Sequence, residues 1–276
     1  MILEKLFRLD NKIVVITGAA GLLGKKHAEA VASFGGTPVL LDLSKEKVND
    51  FANELNQKYN TNSLAFEVDI TDEQQVKNNM DLLIDKFGKI DCLVNNAANN
   101  PKIENATKKN FSRLENFPLD VWNHDLNIGL TGSLICSKYY GYQISKNSNG
   151  GSIINISSDL GLISPDQRLY FKKGIDAKKQ DVKPVSYSVV KTGIIGLTRY
   201  LATYWADKNV RCNALCPGGV KNKQSKDFLR EIKSRIPLGR MANNFEYQGT
   251  LVWMLSDASS YLNGAVITVD GGRTTW

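Results

Sequence analysis

Two side chains in the second half of the chain could exchange a proton with a substrate. Tyr187 and Lys191 stand four residues apart in a segment whose apolar spacing predicts a helix over 186–206, so they share a helical face. A free tyrosine titrates near pKa ~10, and an ammonium ~5 Å away stabilises the phenolate by roughly 3 kcal/mol at an effective dielectric of ~20. The pair therefore predicts a tyrosine general acid/base, and an exposed helical pair is the plainer alternative.

A glycine-rich turn near the start of the sequence predicts a phosphate site. Gly18, Gly21 and Gly24 stand where the first predicted strand, 12–18, passes into the first predicted helix, 22–36. Glycine lets the backbone approach a pyrophosphate, and a helix N-terminus offers unpaired N–H groups. An ordinary tight turn could use the same glycines.

Asp42 ends the second predicted strand, 18 residues after Gly24, and favours a dinucleotide. A carboxylate there can accept hydrogen bonds from both adenosine ribose hydroxyls and would repel a 2′-phosphate. No arginine follows Asp42 to bind a 2′-phosphate, and Lys45 could do so only weakly, so the sequence favours NAD over NADP. The alternative is that Asp42 caps a helix. Asp69, at the end of the third strand, could meet the adenine or cap the next helix.

Alternating strands and helices would position these groups. The predicted strands are 12–18, 37–44, 63–70, 89–96, 151–158, 209–218 and 265–272, and the predicted helices are 22–36, 44–60, 71–88, 118–144, 186–206 and 244–256. Strands that are apolar on both faces indicate a parallel sheet covered on each side. We expect an α/β fold in which one doubly wound parallel sheet has helices on both faces, within a single domain spanning 1–276.

The composition excludes several classes of protein. The 276 residues are 42% hydrophobic and 23% charged, which excludes a disordered or fibrous chain. No apolar run approaches the ~18 residues of a membrane span, and no signal peptide is apparent. The four cysteines, Cys92, Cys136, Cys212 and Cys216, form no CxxC pair and no Cys/His/Asp cluster, so we expect buried thiols, a cytoplasmic location and no metal site.

Five motifs occur in an order that resembles the short-chain dehydrogenase/reductase family. They are TGxxGxxG (17–24), NNAA (95–98), ISS (156–158), YSVVK (187–191) and CPGG (216–219). The resemblance covers residues 12–272 approximately and implies a Rossmann fold. The C-terminal third of the sequence looks like that of the classical subfamily. The segment 3–25 is also similar to dehydrogenases of bacterial surface-sugar and flagellin-modification pathways.

The resemblance implies a catalytic tetrad. Tyr187 matches the general acid/base, Lys191 the residue that holds the nicotinamide ribose and lowers the tyrosine pKa, and Ser158 the hydroxyl that orients the substrate oxygen, with Ser157 as the alternative serine. Asn127 matches the asparagine that supports a water in the proton relay. Cofactor contacts are implied for Gly18, Gly21, Leu22, Leu23, Gly24, Asp42, Asp69, Ile70, Asn96, Ala97, Tyr187, Lys191, Pro217, Gly218 and Val220.

The sequence departs from the family pattern in three places. The spacing of Gly21 matches the extended subfamily of nucleotide-sugar epimerases and dehydratases, Ala98 replaces a glycine, and Asn222 stands near the position of a frequent threonine. A larger departure is an insertion at about 159–185, because Ser158 and Tyr187 are 29 residues apart. It should lie at the carboxyl edge of the sheet, where ligands bind, and the loop 98–117 is also long.

The net charge of +7 is concentrated in three segments near this edge, 98–120, 159–185 and 218–240. A positive cavity mouth would attract an anionic substrate, and the candidate contacts are Arg168, Lys172, Lys173, Lys221 and Lys223. A solvated basic helix face is an equal alternative. Nucleic acid is disfavoured because no aromatics are interleaved with the basic residues.

These patterns predict an NAD(H)-dependent oxidoreductase that interconverts a secondary alcohol and a ketone on a polar, anionic or carbohydrate-type small molecule. The alternatives are a nucleotide-sugar epimerase or dehydratase that recycles its cofactor, a 3-oxoacyl-carrier reductase, and a non-catalytic NAD sensor. We expect no nucleic-acid or membrane partner. The resemblance also implies a homotetramer or homodimer, and the aromatics Tyr139, Tyr140, Tyr200, Tyr204 and Trp205 could lie in its interface or in the core.

Overall fold

The sheet organises the structure. The computed structural model describes residues 2–99 and 112–276, and in this part of the chain seven parallel strands form one sheet in the order β3-β2-β1-β4-β5-β6-β7. The strands are β1 (Ile13–Thr17), β2 (Thr37–Asp42), β3 (Leu64–Glu67), β4 (Cys92–Asn95), β5 (Gly151–Ile156), β6 (Val210–Pro217) and β7 (Val266–Val269). The predicted α/β fold with one doubly wound parallel sheet is confirmed.

Helices cover both faces of the sheet. They are α1 (Leu3–Leu6), α2 (Leu22–Ser33), α3 (Lys45–Tyr59), α4 (Glu73–Phe87), α5 (Leu119–Leu126), α6 (Gly132–Cys136), α7 (Tyr142–Ile144), α8 (Val185–Tyr204), α9 (Lys226–Lys233) and α10 (Gln248–Leu255). Helices α2, α3 and α10 pack on one face, and α4, α6 and α8 on the other.

The alternation of side chains along β1 explains this two-sided core. Val14 and Ile16 pack in the cluster with α2, α3 and α10, whereas Ile13 and Val15 pack in the opposite cluster. All five residues of β1 are buried because successive side chains of a strand point to opposite faces and both faces are covered.

Three segments differ in detail from the sequence prediction. The helix predicted over 118–144 is continuous but contains two π-helical turns, Asn127–Thr131 and Ser137–Gly141. The insertion 159–185 folds into three 3₁₀ turns, Asp159–Gly161, Gln167–Tyr170 and Ala177–Lys179, and the basic segment after β6 contains α9. Residues 100–111 of the loop 98–117 lie outside the described residues.

The strand order reverses between β1 and β4. A crevice opens outside the carboxyl ends of the strands at such a reversal, and ligands of doubly wound folds bind there. The glycine turn follows β1, Asp42 ends β2, Asn96 follows β4 and Ser158 lies just after β5. The topology therefore gathers residues from distant parts of the sequence at one edge of the sheet.

Candidate active site

A cavity of about 870 Å³ occupies this crevice. It runs from the glycine turn and Asp42 to Tyr187, and the insertion and α9 form its far wall. The structure brings together the predicted tetrad and most of the predicted cofactor contacts: all four tetrad positions and every predicted cofactor contact except Gly24 line the cavity.

The glycine turn has the shape of a phosphate cradle. Gly18 has φ +62°, and a Cβ on it would lie 2.8 Å from Cα of Ala97. Gly24 serves packing instead, since a Cβ there would lie 2.2 Å from the carbonyl oxygen of Gly18. Gly21 is the N-cap of α2 and has no side chain to bond the first N–H groups of the helix, so these remain available to an anion.

Hydrogen bonds hold the turn in place. The amide of Asn96 donates to the carbonyl oxygens of Thr17 and Gly18 at 2.9 and 3.1 Å. The backbone N–H groups of Asn96 and Ala97 both donate to the hydroxyl of Thr17. The NNAA motif therefore positions the cradle by bonding it from the neighbouring strand.

Two carboxylates, Asp42 and Asp69, line the end of the cavity that lies beside β2 and β3. Asp42 accepts a hydrogen bond from the N–H of Ala20 at 2.9 Å, which ties β2 to the glycine turn. Asp69 accepts from both the N–H and the hydroxyl of Thr71, while Asp72 caps α4. Among the described residues at this end, no lysine or arginine lines the cavity: the lining is Leu41, Asp42, Leu43, Val68, Asp69, Ile70 and Thr71. The donors, cradle and carboxylates fit a dinucleotide such as NAD.

The Tyr187 end of the cavity holds the predicted proton-transfer group. Lys191 donates from Nζ to the carbonyl oxygen of Ile156 at 2.8 Å, and its Nζ lies 5.9 Å from the ring centroid of Tyr187. Ser158 donates to Oδ1 of Asp159 at 2.8 Å. The hydroxyl of Ser157 instead donates to the carbonyl oxygen of Lys191, so Ser157 serves to join β5 to α8.

Burial dominates the pKa values of these groups. It raises the pKa of Tyr187, a hydrogen bond between Tyr187 and Ser158 opposes this rise, and the carboxylate of Asp159 adds to it. Burial also lowers the pKa of Lys191 to about 8. The net shift of the Tyr187 pKa is therefore upwards in this structure, because removing both groups from water favours their neutral forms.

Close packing between the π-helical turn Asn127–Thr131 and α8 places Asn127 in the same cavity as Tyr187. Asn127 begins a π-helical turn and lines the cavity. Two residues later, a Cβ on Gly129 would lie 2.2 Å from Cγ1 of Val190, so glycine lets the helices approach closely. The buried carboxylate of Asp125 accepts a hydrogen bond from Ser186 and fixes the start of α8.

The structure places four further residues at the site that the sequence did not single out. Arg273, near the C-terminus, donates to Oδ2 of Asp159 at 2.7 Å, and both side chains are buried. Lys183 lies with Nζ 3.8 Å from the ring centroid of Tyr187, and Tyr170 lines the same wall. The one sequence signal for Lys183 was its place four residues before Tyr187.

The predicted substrate contacts lie elsewhere. Arg168, Lys172, Lys173, Lys221 and Lys223 are exposed, and none lines the cavity. Arg168 pairs with Asp166, and Lys172 with Asp181, each at 2.8 Å. These long side chains keep their charged ends in solvent and outside the cavity.

The described residues contain neither a metal-binding cluster nor a membrane-spanning helix. Within 2–99 and 112–276, no group of three or more His, Cys, Asp or Glu side chains could hold a metal ion. In the same part of the chain, no helix is both long and apolar enough to cross a bilayer.

The fold and the cavity define a class, the nucleotide-binding α/β oxidoreductases. Comparison with known proteins gives the family. A family model described as "short chain dehydrogenase" matches residues 12–170, and one described as "Enoyl-(Acyl carrier protein) reductase" matches residues 175–274. The chain belongs to the short-chain dehydrogenase/reductase family.

Three similar proteins illustrate the range of the family. Trans-4-hydroxycyclohexanecarboxylate dehydrogenase of Sinomonas cyclohexanicum is 31% identical over 97% of this chain and 94% of its own. The 7alpha-hydroxysteroid dehydrogenase of Bacteroides fragilis is 30% identical over 97% and 96%. The crystal structure of a short-chain type dehydrogenase/reductase from Mycobacterium marinum has 26% identity and a TM-score of 0.84, with 99% of each chain covered.

The names of the relatives fix the reaction only in general terms. They are dehydrogenases that act on hydroxyl groups, and both NADP- and NAD-dependent enzymes occur among them. This chain is accordingly an oxidoreductase of that family, which uses a nicotinamide cofactor.

Proposed function

We propose that the protein is an NAD(H)-dependent oxidoreductase that interconverts a secondary alcohol and a ketone, with Tyr187 as the general acid/base. The observation that carries the proposal is the single cavity that joins the glycine cradle to Tyr187, Ser158 and Lys191. When bound, the nicotinamide supplies hydride transfer at the carbinol carbon. The insertion 159–185 is part of the same catalytic domain and forms its substrate wall.

Each side chain then has a defined task. In alcohol oxidation the phenolate of Tyr187 takes the hydroxyl proton of the alcohol, and in ketone reduction the phenol returns a proton to the ketone oxygen. Ser158 orients that oxygen, and Lys191 supports the cofactor ribose. One positive charge 5.9 Å from the ring stabilises a phenolate by about 3 kcal/mol at an effective dielectric of ~20, which corresponds to a pKa change of roughly 2 units. Protonated Lys191 can thus offset much of the rise that burial causes.

Asp42 supports NAD rather than NADP. Its carboxylate lies in the cavity at the end of β2, where Oδ2 accepts a hydrogen bond from the N–H of Ala20 at 2.9 Å and Oδ1 accepts a longer one from the N–H of Ser44 at 3.4 Å. A 2′-phosphate beside Asp42 would meet a negative charge, and no lysine or arginine is among the described residues that line this end of the cavity.

The substrate is a small molecule with a secondary hydroxyl. The names of two relatives, a hydroxycyclohexanecarboxylate dehydrogenase and a hydroxysteroid dehydrogenase, support a hydroxyl on a ring. The apolar side chains on the far wall favour such a body over a fully hydroxylated sugar.

Tyr187→Phe tests the catalytic assignment. Removing the phenol should lower kcat about 10²- to 10⁴-fold, because the general acid/base is lost, and should leave the NADH dissociation constant within about twofold. Tyr261→Phe is the matched control, since Tyr261 is fully exposed. A Tyr187→Phe enzyme with nearly normal kcat would overturn the assignment, and alcohol conversion without net NADH would indicate the epimerase alternative.

We also propose a homo-oligomer, a tetramer or dimer, formed through the helices that carry Asn127 and Tyr187. Tyr200 and Tyr204 of α8 stack with ring centroids 5.6 Å apart and are 61% and 58% exposed. Tyr140 is instead buried in the core, and Trp205 packs against it. Light scattering should give a mass above one chain, and Tyr200→Glu with Tyr204→Glu should reduce it; a wild-type monomer would refute the assembly.

A further inference from the structure

The residue that follows Ser158 is a buried carboxylate. Asp159 begins the 3₁₀ turn Asp159–Gly161 and lines the same cavity as Tyr187. A carboxylate is costly to bury unless it is paired and hydrogen-bonded. Arg273 supplies the pair, because its Nη1 donates to Oδ2 of Asp159 at 2.7 Å. The ion pair therefore occupies Oδ2 and leaves Oδ1 of the carboxylate to other donors.

Hydrogen bonds fix the direction of the Ser158 hydroxyl. Its Oγ lies 2.8 Å from Oδ1 of Asp159, and an ionised carboxylate only accepts hydrogen bonds, so Ser158 donates its single proton there. The backbone N–H of Leu160 donates to Oγ of Ser158 at 3.2 Å and to Oδ1 of Asp159 at 2.8 Å. A hydroxyl oxygen has two lone pairs, and this N–H takes one of them. Ser158 therefore offers a lone pair, and not its proton, to a further neighbour.

Tyr187 is that further neighbour of Ser158. A hydrogen bond joins the two side chains, and both line the cavity. While Asp159 holds the proton of Ser158, Ser158 accepts from the phenol of Tyr187 and has no proton to give to the phenolate. The negative charge of Asp159 also raises the pKa of Tyr187. Asp159 thus favours the phenol over the phenolate in two ways, through its charge and through the proton of Ser158.

We propose that Asp159 is a positioning residue for the proton transfer at Tyr187: it holds the proton of Ser158, so that Ser158 accepts a hydrogen bond from the phenol or from the hydroxyl of an alcohol substrate. The inference rests on the proposed function and adds to it a chain of three side chains, Arg273, Asp159 and Ser158, that acts on Tyr187. The alternative is a purely structural ion pair, and then the loss of either charge should disturb the site in the same way.

Other titratable groups surround the ring of Tyr187. Those that contact the ring, interact with it or with its neighbouring lysine, or line the described cavity around it are Lys183, Lys191, Tyr170, His124, Asp125 and Asp166. Substitutions at Asp159 and Arg273 leave all of these side chains in place. A comparison among such variants therefore isolates the contribution of the carboxylate.

The pKa of Tyr187 in matched variants tests the inference. Tyrosine labelled with ¹³C at Cζ gives one NMR signal for each side chain, and the signal lost in Tyr187→Phe identifies Tyr187. In Asp159→Asn the amide oxygen should face Arg273 and the NH₂ group should face Ser158, which frees the proton of Ser158 for the phenolate. With NAD present, the pKa of Tyr187 should therefore lie at least about one unit lower in Asp159→Asn than in the wild type.

Arg273→Met separates the role of the carboxylate from that of the ion pair. It removes the same pair but keeps the negative charge, so the pKa of Tyr187 should stay in place or rise. The double variant, Asp159→Asn with Arg273→Met, contains neither charge of the pair, and its Tyr187 should titrate at least about one unit below that of Arg273→Met. Asp227→Asn is the matched control, because Asp227 pairs with Arg230 but is 81% exposed, and it should keep the wild-type pKa.

The pH dependence of alcohol oxidation gives a second readout. Oxidation requires the phenolate, so kcat/KM for 4-hydroxycyclohexanecarboxylate with saturating NAD should rise with pH through the pKa of Tyr187. This rise should move to lower pH by at least about one unit in Asp159→Asn, and it should not move to lower pH in Arg273→Met. Damage to packing alone would lower kcat/KM without moving the pH at which it rises.

The inference and the proposed function fail differently. An unchanged Tyr187 pKa in Asp159→Asn, or equal shifts in Asp159→Asn and Arg273→Met, overturns the inference and leaves the alcohol dehydrogenase assignment intact. A Tyr187 pKa that depends on Asp159, without NAD reduction by any secondary alcohol, refutes the proposed function instead.

Discussion

Arg273→Met should destabilise the fold through Asp159, which precedes it by 114 residues. The two side chains form an ion pair at 2.7 Å and are 10% and 3% exposed, so the substitution leaves a buried carboxylate without its cation. Loss of one partner from a buried pair costs about 3–5 kcal/mol. At ~2–4 °C per kcal/mol for a chain of about this size, Tm should fall by roughly 6–20 °C.

A double-mutant cycle separates this ion pair from general packing. Arg273→Met, Asp159→Asn and the double variant are unfolded in urea, and the double variant should recover at least about 2 kcal/mol relative to the sum of the single losses. Arg168→Met is the exposed control: Arg168 is 83% exposed in its pair with Asp166, so its loss should be small. Strictly additive losses in the cycle would refute the reasoning.

Three further predictions concern the cofactor, the packing and the pH dependence. Asp42→Ala should raise the NADP/NAD ratio of kcat/KM at least about tenfold by removing the repulsion of a 2′-phosphate, and an unchanged ratio would argue against the ribose contact. Gly129→Ala should lower the free energy of unfolding in urea by about 1–3 kcal/mol, because the new Cβ would lie 2.2 Å from a methyl of Val190. The control Gly249→Ala should be neutral or stabilising, because no atom lies within 4 Å of its Cβ. Equal effects of the two substitutions would contradict this reasoning. Burial lowers the pKa of His27 from 6.5 to about 4, so as pH falls through this window the unfolded chain binds the proton first and stability declines. Between about pH 7 and pH 5 the free energy of unfolding of the wild type should fall by about 2 kcal/mol more than that of His27→Leu. Parallel plots of unfolding free energy against pH for the two proteins would contradict the lowered pKa of His27.

Local patterns were enough to predict the fold and the residues that line the cavity near the glycine turn. A Cβ atom at Gly18 or Gly24 would collide with the backbone, so the turn requires glycine at both positions. The turn can therefore be recognised from the type and spacing of its residues. Tyr187 and Lys191 are likewise placed by one helix, and the order of the strands places that helix at the edge of the sheet.

The substrate half depends on contacts between distant segments, and the sequence did not reveal it. Arg273 reaches Asp159 only because β7 lies beside β6, which brings the C-terminus to the cavity. Charge counting selected exposed lysines such as Lys173 and passed over Lys183, since a sequence count does not distinguish a cation in solvent from one beside the ring of Tyr187. Burial also reversed the expected direction of the pKa of Tyr187.

The most direct test of the central claim follows the hydrogen on the carbinol carbon. 4-Hydroxycyclohexanecarboxylate deuterated at that carbon is incubated with the wild type and NAD, and the cofactor is analysed by mass spectrometry. A dehydrogenase that transfers hydride in this cavity should place one deuterium in NADH for each ketone formed. Ketone formed with the deuterium in solvent, or no oxidation of this or any other secondary alcohol, would contradict the account.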